Sequence, residues 1–243
     1  MIKNGKLINP ELRIETTNDC NAHCIICPRE KMTRPVTTMS TESFEELLKQ
    51  GKNLGVKMVS IFGYGEPLMD TTLEDKISLA TKYGYETFIT TNAERLNLSR
   101  IYKILEAGLS NIRFSFHALS INDFNKVHRQ LDFLTVMRNF GNFNAIKNKH
   151  VFRCKVHIST IPMMNEGVQD IRDAWEGKCD YLEIWKPHNW VKGKGFRKVD
   201  AKKKTCGRPF NGPVQIQADG NVIPCCFMTN AELVMGNIFE NTI

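Results

Sequence analysis

The sequence predicts an α/β fold, with a mostly parallel sheet of six strands curved into an open or partial barrel and a small cysteine-containing β-hairpin extension at the C-terminal end. Three observations predict it. Apolar strand-like runs alternate with helix-period segments in repeats of roughly 25–40 residues, the pattern of a parallel sheet covered by helices. The alternation stops near residue 190, and a tail rich in Cys, Gly and Pro follows. At 243 residues and 42% hydrophobic, the chain can bury one full core with a small appendage. Six units are too few to close the eight-stranded barrel, so chemistry is expected in the cleft at the C-terminal ends of the strands.

The strands are read at 12–17, 58–63, 86–91, 111–116, 152–160 and 180–185. Helices fall at 40–55, 71–84, 98–109 and 165–177, each opened by Ser, Thr or Asn or carrying Gly at or near its exit. Residues 1–190 form the barrel and 191–243 a connector with a smaller unit. In that unit, "QIQADGNVIPC" reads as a hairpin: alternating apolar residues either side of a tight Asp219–Gly220 turn.

Charge and cysteine usage narrow the function. The net charge of +7 is concentrated, because residues 190–204 hold seven basic groups and one acid. The rest of the surface is nearly neutral, so a nucleic-acid-binding surface is not expected. No run approaches a signal peptide or the ~18 apolar residues of a membrane span, and a soluble cytoplasmic protein is the expectation. In a reducing compartment, eight cysteines point to metal or cluster ligation, catalysis or burial rather than a disulfide framework.

Three of the eight lie in "CNAHCIIC", just after the first strand. Cys20-x-x-x-Cys24-x-x-Cys27 can converge on one soft metal centre without closing a long loop. Structural zinc takes four ligands. Three thiolates suit a 4Fe–4S cluster with one iron left open. The rival reading is a non-catalytic zinc-binding module whose basic segment at 190–204 contacts nucleic acid.

With this loop behind strand one of a β–α series, the chain resembles the radical SAM enzymes, which carry Cys-x-x-x-Cys-x-aromatic-Cys here on a partial (β/α)6 barrel. Ile26 stands where the family has an aromatic. The resemblance implies that Cys20, Cys24 and Cys27 hold the cluster and that the fourth iron binds S-adenosylmethionine. Reductive cleavage would yield a 5′-deoxyadenosyl radical that takes hydrogen from a peptide or small-molecule substrate, with flavodoxin or ferredoxin as electron donor. After strand two, Gly63, Gly65, Glu66 and Pro67 match the Gly-Gly-Glu-Pro motif as Gly-x-Gly-Glu-Pro, with Tyr64 replacing a glycine, and imply a seat for the methionine end. Asn92 matches Thr-Asn-Gly after strand three, with Ala93 for glycine, and reads as a cofactor contact or a turn-former. Ser115 and His117 stand where relatives show Ser-x-Asp. His117 reads as a cofactor contact, a proton carrier or a satisfied surface histidine. Ile161 after strand five is expected to wall the adenine.

The tail is similar to the opening of SPASM and twitch auxiliary-cluster domains. Its Cys206-x13-Gly220-x4-Cys225 spacing implies that Cys206 and Cys225 begin a possible second iron–sulfur site. Those domains supply further cysteines downstream, and none follows Cys226. A fragment of a longer protein, or an incomplete auxiliary cluster, is therefore expected. Cys226 reads as a buried or spare thiol, Cys154 as core, and Cys179 as core or helix-exit packing.

Overall fold

A computed structural model describes residues 2–164, 166–189 and 205–240, so the basic connector at 190–204 lies outside the described residues. A small antiparallel ribbon, β1 (Ile2–Lys3) with β2 (Lys6–Leu7), precedes β3 (Glu11–Ile14). Next come α1 (Thr41–Asn53), β4 (Met58–Ile61), α2 (Leu73–Lys82), β5 (Glu86–Thr91), α3 (Leu98–Glu106) and β6 (Asn111–Ser115). Two helices, α4 (Ile121–Val127) and α5 (Phe133–Lys149), lead to β7 (Lys155–Thr160), α6 (Val168–Trp175) and β8 (Tyr181–Ile184). The tail adds a single-turn helix, α7 (Arg208–Asn211), then β9 (Val214–Ile216), β10 (Asn221–Ile223) and β11 (Gly236–Asn237).

Strands β3 to β8 lie side by side in chain order, all parallel, as the β–α alternation requires. Their two faces separate by the period of two. Leu12, Ile14, Val59, Ile61, Ile89, Ile112, Phe114, Val156 and Ile158 are buried on the helix-covered face. Arg13, Ser60, Phe88, Arg113, His157 and Glu183 alternate with them and face the inside of the curve.

The helices at 40–55, 71–84, 98–109 and 165–177 are present at or near their expected ends. Helices α4 and α5 are additional. In α5, Asn residues and Gly141 dilute the apolar pattern and lower helix propensity, yet Val136, Phe140, Phe143 and Ile146 are buried along one stripe. Ser120 and Asp132 cap the two helices by accepting from Asp123 N and Thr135 N.

The tail hairpin forms as its alternation predicts, with Val222 opposite Ile216 and Gly220 at φ +84° in the turn. The hairpin sits at the edge of the main sheet and not on the end of the barrel. β9 pairs in parallel with β3, Leu12 opposite Val214 and Ile14 opposite Ile216, so the hairpin continues the main sheet. The open edge of β3 offers unpaired backbone groups, and β9 supplies both partners and apolar side chains. Glu15 and Arg34 reinforce the join: their carboxylate and guanidinium pair at 2.8 Å and are almost fully buried. Arg34 also donates to Thr229 O, and Ala218 N donates to Glu15.

Candidate active site

The three-cysteine loop leaves β3 and is tied down at several points. Glu66 N donates to Asp19 O at 2.7 Å, and the Asn18 side chain bonds Pro35 O and Thr37 N. Arg29 reaches back to Asn18 O and the Asp19 carboxylate. Farther along, His23 N donates to Arg129 O and Ile25 N to Val127 O, both at 3.0 Å, so Cys24 is set opposite His128. The Cys20, Cys24 and Cys27 side chains are all half-buried, and Cys20 and Cys24 are packed against the core. Burial, followed by the negative field of Glu66, pushes the Cys20 thiol up to about 12. Burial also raises Cys24, and the neighbouring Cys27 and Cys20 raise it further. Burial raises all three thiols, and a shared cation is what would let them become thiolates together.

The Gly63–Pro67 turn is the clamp on this loop. Glycine at 65 is required by close approach to protein backbone: a Cβ there would lie 2.2 Å from Thr17 O and 2.6 Å from Asp19 O. At Gly63 a Cβ would meet the Glu15 side chain at 2.5 Å. Tyr64, which replaces a glycine of the motif, donates its backbone N–H to Glu15 and its hydroxyl to Cys226 O in the tail. Glu66 is buried and receives Thr91 Oγ1 at 2.6 Å, Asn92 N at 2.7 Å and Leu68 N at 3.1 Å. Burial pushes its carboxyl up to about 7, against these bonds, which favour the ionised form. Pro67 starts the short 3-10 helix Pro67–Met69, for which Glu66 is the cap.

The remaining strand ends join the same assembly. Asn92 accepts from Glu94 N in a tight turn and donates to Asn21 of the cysteine loop at 2.9 Å. Ala93 holds φ +66° where the family places glycine. Ser115 stands opposite Ser159 on β6 and β7. His117 is buried rather than on the surface. Its Nδ1 accepts from Ile161 N at 3.1 Å, its backbone N–H donates to His128 Nε2 at 3.1 Å, and the two rings stack at 4.9 Å. Burial pushes the His117 imidazole down to about 4, so it is neutral. Ile161 is half-buried at the end of β7. Asn21, Glu15, Arg34 and His128 complete the site and belong to no motif read from the sequence.

Below these strand ends the barrel interior is charged and aromatic. The Arg113 guanidinium lies 5.3 Å from the Phe62 ring centre, 5.0 Å from Phe88 and 5.3 Å from Trp185, and pairs with Glu183 at 3.2 Å. His157 faces the same carboxylate at 3.5 Å. Cys154 is buried, and Cys179 packs against the core at the exit of α6, near Trp175 O.

In the tail, Cys206 is exposed and Cys225 and Cys226 are half-buried. Cys226 interacts with Cys225, and Arg208 Nη1 lies 3.6 Å from its sulfur. Among the described residues no three Cys, His, Asp or Glu side chains close on a single ion. A 4Fe–4S cluster takes each thiolate on a different iron, and the three half-buried thiols of one clamped loop fit that donor set. Among the described residues, no helix is long and apolar enough to cross a membrane.

Comparison with known proteins agrees with this geometry. The sequence profile of the radical SAM superfamily matches residues 14–197, and that of the SPASM iron–sulfur cluster-binding domain matches residues 206–243. A probable GTP 3′,8-cyclase of Methanothermobacter marburgensis is 32% identical over 49% of this chain, but the match spans only 39% of the cyclase. The S-adenosyl-L-methionine-dependent 2-deoxy-scyllo-inosamine dehydrogenase of Niallia circulans is 25% identical over 96% of this chain and 79% of its own length. Among solved structures, Streptococcus suis SuiB bound to its precursor peptide SuiA superposes with a TM-score of 0.78 at 16% identity, covering 97% of this chain and 63% of SuiB. BtrN in complex with AdoMet and 2-DOIA superposes with a TM-score of 0.64 at 20% identity, covering all of this chain and 81% of BtrN. These matches displace the zinc-module reading, and the cofactors of the family are a 4Fe–4S cluster and S-adenosylmethionine. The chain belongs to the radical SAM superfamily and carries SPASM sequence behind its barrel.

Proposed function

We propose that Cys20, Cys24 and Cys27 hold the catalytic 4Fe–4S cluster and that the enzyme takes a hydrogen atom from a small hydroxylated or amino-substituted substrate. The observation that carries this reading is the clamped three-thiol loop at the mouth of a barrel with a charged, aromatic interior. When bound, the cluster and S-adenosylmethionine supply reductive C–S cleavage and a 5′-deoxyadenosyl radical. The chain's residues position and enclose. Gly63, Gly65, Glu66 and Pro67 hold the loop against β4 and β5. Asn92, Ser115, His117 and Ile161 border the cofactor at the strand ends, with neutral His117 offering no competing charge. Arg113, Glu183, His157 and Trp185 present hydrogen-bonding and aromatic surface suited to hydroxyl and amino groups.

The near full-length match to the aminocyclitol dehydrogenase supports a small polar substrate. The fold likeness to SuiB supports a second reading, a peptide substrate. In either case Cys206 and Cys225 contribute to a second iron–sulfur site in the SPASM region. The electron left on an oxidised substrate leaves through that site or a carrier such as ferredoxin or flavodoxin.

Substrates deuterated at the reacting carbon separate these readings. The reduced enzyme is incubated with S-adenosylmethionine and either a carbinol-deuterated aminocyclitol or a Cα- and side-chain-deuterated peptide. Deuterium in 5′-deoxyadenosine from the aminocyclitol is expected. Transfer from the peptide alone would install the second reading, and 5′-deoxyadenosine free of deuterium with both would overturn the proposed substrate class.

A further inference from the structure

His128 is placed beside the cysteine loop by backbone, not by chance contact. It follows α4, its own N–H is bonded to Phe124 O, and its ring stacks on Phe124 at 4.5 Å and on His117 at 4.9 Å. The two backbone bonds that join residues 23 and 25 to 129 and 127 set it against Cys24. Its Nδ1 lies 3.4 Å from Cys24 Sγ. The ring's proton has one available position. Nε2 accepts from His117 N at 3.1 Å, so in the neutral imidazole the proton is on Nδ1, which donates toward the sulfur. The His117 amide thus fixes a tautomer 104 residues away from the cysteine in sequence.

We propose that His128 is a positioning residue for the cluster, donating an Nδ1–H hydrogen bond to Cys24 Sγ that raises the cluster's reduction potential. The inference rests on Cys24 being a cluster ligand. Adding an electron places more negative charge on the thiolate sulfurs, so a fixed N–H donor stabilises the reduced form more than the oxidised one. The site is half-buried, where such a bond is screened little. The same bond holds the Cys24 side chain in one orientation before the cluster arrives.

The test uses anaerobically reconstituted full chain without S-adenosylmethionine, in an EPR-monitored redox titration. His128→Phe keeps the ring stacked on Phe124 and removes the donor. Its reduced-to-oxidised ratio at a fixed poise is expected to fall about tenfold, which for a one-electron couple is about 59 mV. His128→Gln restores an N–H donor and is expected to return most of the shift. In the wild-type protein grown with ring-15N histidine, pulsed EPR of the reduced cluster should show a nitrogen coupling that disappears in His128→Gln. An unchanged potential in His128→Phe would overturn the inference. If that variant fails to fold, the absence of any histidine-ring coupling in the loaded wild type would overturn it instead. Wild-type protein that assembles no 4Fe–4S cluster would overturn the underlying ligand assignment.

Discussion

Gly65→Ala is expected to yield folded protein that loses the iron held by the three-cysteine loop. The added methyl carbon would sit 2.2 Å from Thr17 O, 2.6 Å from Asp19 O and 2.8 Å from Asn18 Cα, all backbone atoms of the segment that leads into Cys20. Backbone cannot rotate aside as a flexible side chain does, so the segment must move. Its movement breaks the 2.7 Å bond from Glu66 N to Asp19 O that seats the loop. The sheet and helices do not depend on that bond, so the far-ultraviolet spectrum should be unchanged. Iron and sulfide per chain after reconstitution check the result. Wild-type cluster content with only a higher KM for S-adenosylmethionine would contradict it, and would mean that the glycine serves approach of the cofactor.

Lys76→Met is expected to lower stability by about 3–5 kcal/mol, the usual cost of stranding one member of a buried ion pair. Lys76 and Asp70 are both fully buried and 2.6 Å apart, and Lys76 also donates to Met39 O at 2.6 Å. The pair joins the end of the Glu66–Pro67 turn to α2, where Asp70 also receives the Thr72 N–H and hydroxyl. Methionine fills the volume but leaves a carboxylate and a carbonyl unpaired in the core. For a chain of this size the loss corresponds to a fall in Tm of roughly 10 °C. The double variant with Asp70→Asn should recover part of it, because no charge is then stranded. Denaturant unfolding provides the measurement, and a loss below about 1 kcal/mol would contradict the account.

The cysteine loop and the Gly-x-Gly-Glu-Pro turn were legible because their chemistry is local: three thiols within eight positions, and glycines bracketing one acid. The same local logic carried the hairpin, whose Asp219–Gly220 turn needs the positive φ that Gly220 adopts. Nothing local could place that hairpin, since the edge of β3 is a partner supplied by a strand some 200 residues away, as the Ala218–Glu15 bond records. Helix α5 escaped notice for a compositional reason, its Asn and Gly residues masking a buried Val136–Phe140–Phe143 stripe. His117 reads naturally as a surface histidine at a strand end, but it is buried and the His128 ring stacks on it. His128 itself was invisible, because its role depends on backbone pairing between two distant loops. The glycines show a subtler case. Read from the sequence as part of a seat for the methionine end, Gly63 and Gly65 also make room for Glu15 and for the backbone of residues 17–19.

The central claim, that Cys20, Cys24 and Cys27 hold a cluster that opens S-adenosylmethionine, is tested most directly by 5′-deoxyadenosine formation in reduced, anaerobically reconstituted protein. The wild-type chain should form 5′-deoxyadenosine and methionine together. The variant with all three cysteines replaced by alanine should lose the cluster that these thiols hold and form neither above the protein-free background. Undiminished cleavage by the triple variant would contradict the assignment of the three thiols, and a wild-type chain loaded with cluster yet unable to cleave S-adenosylmethionine would contradict the function.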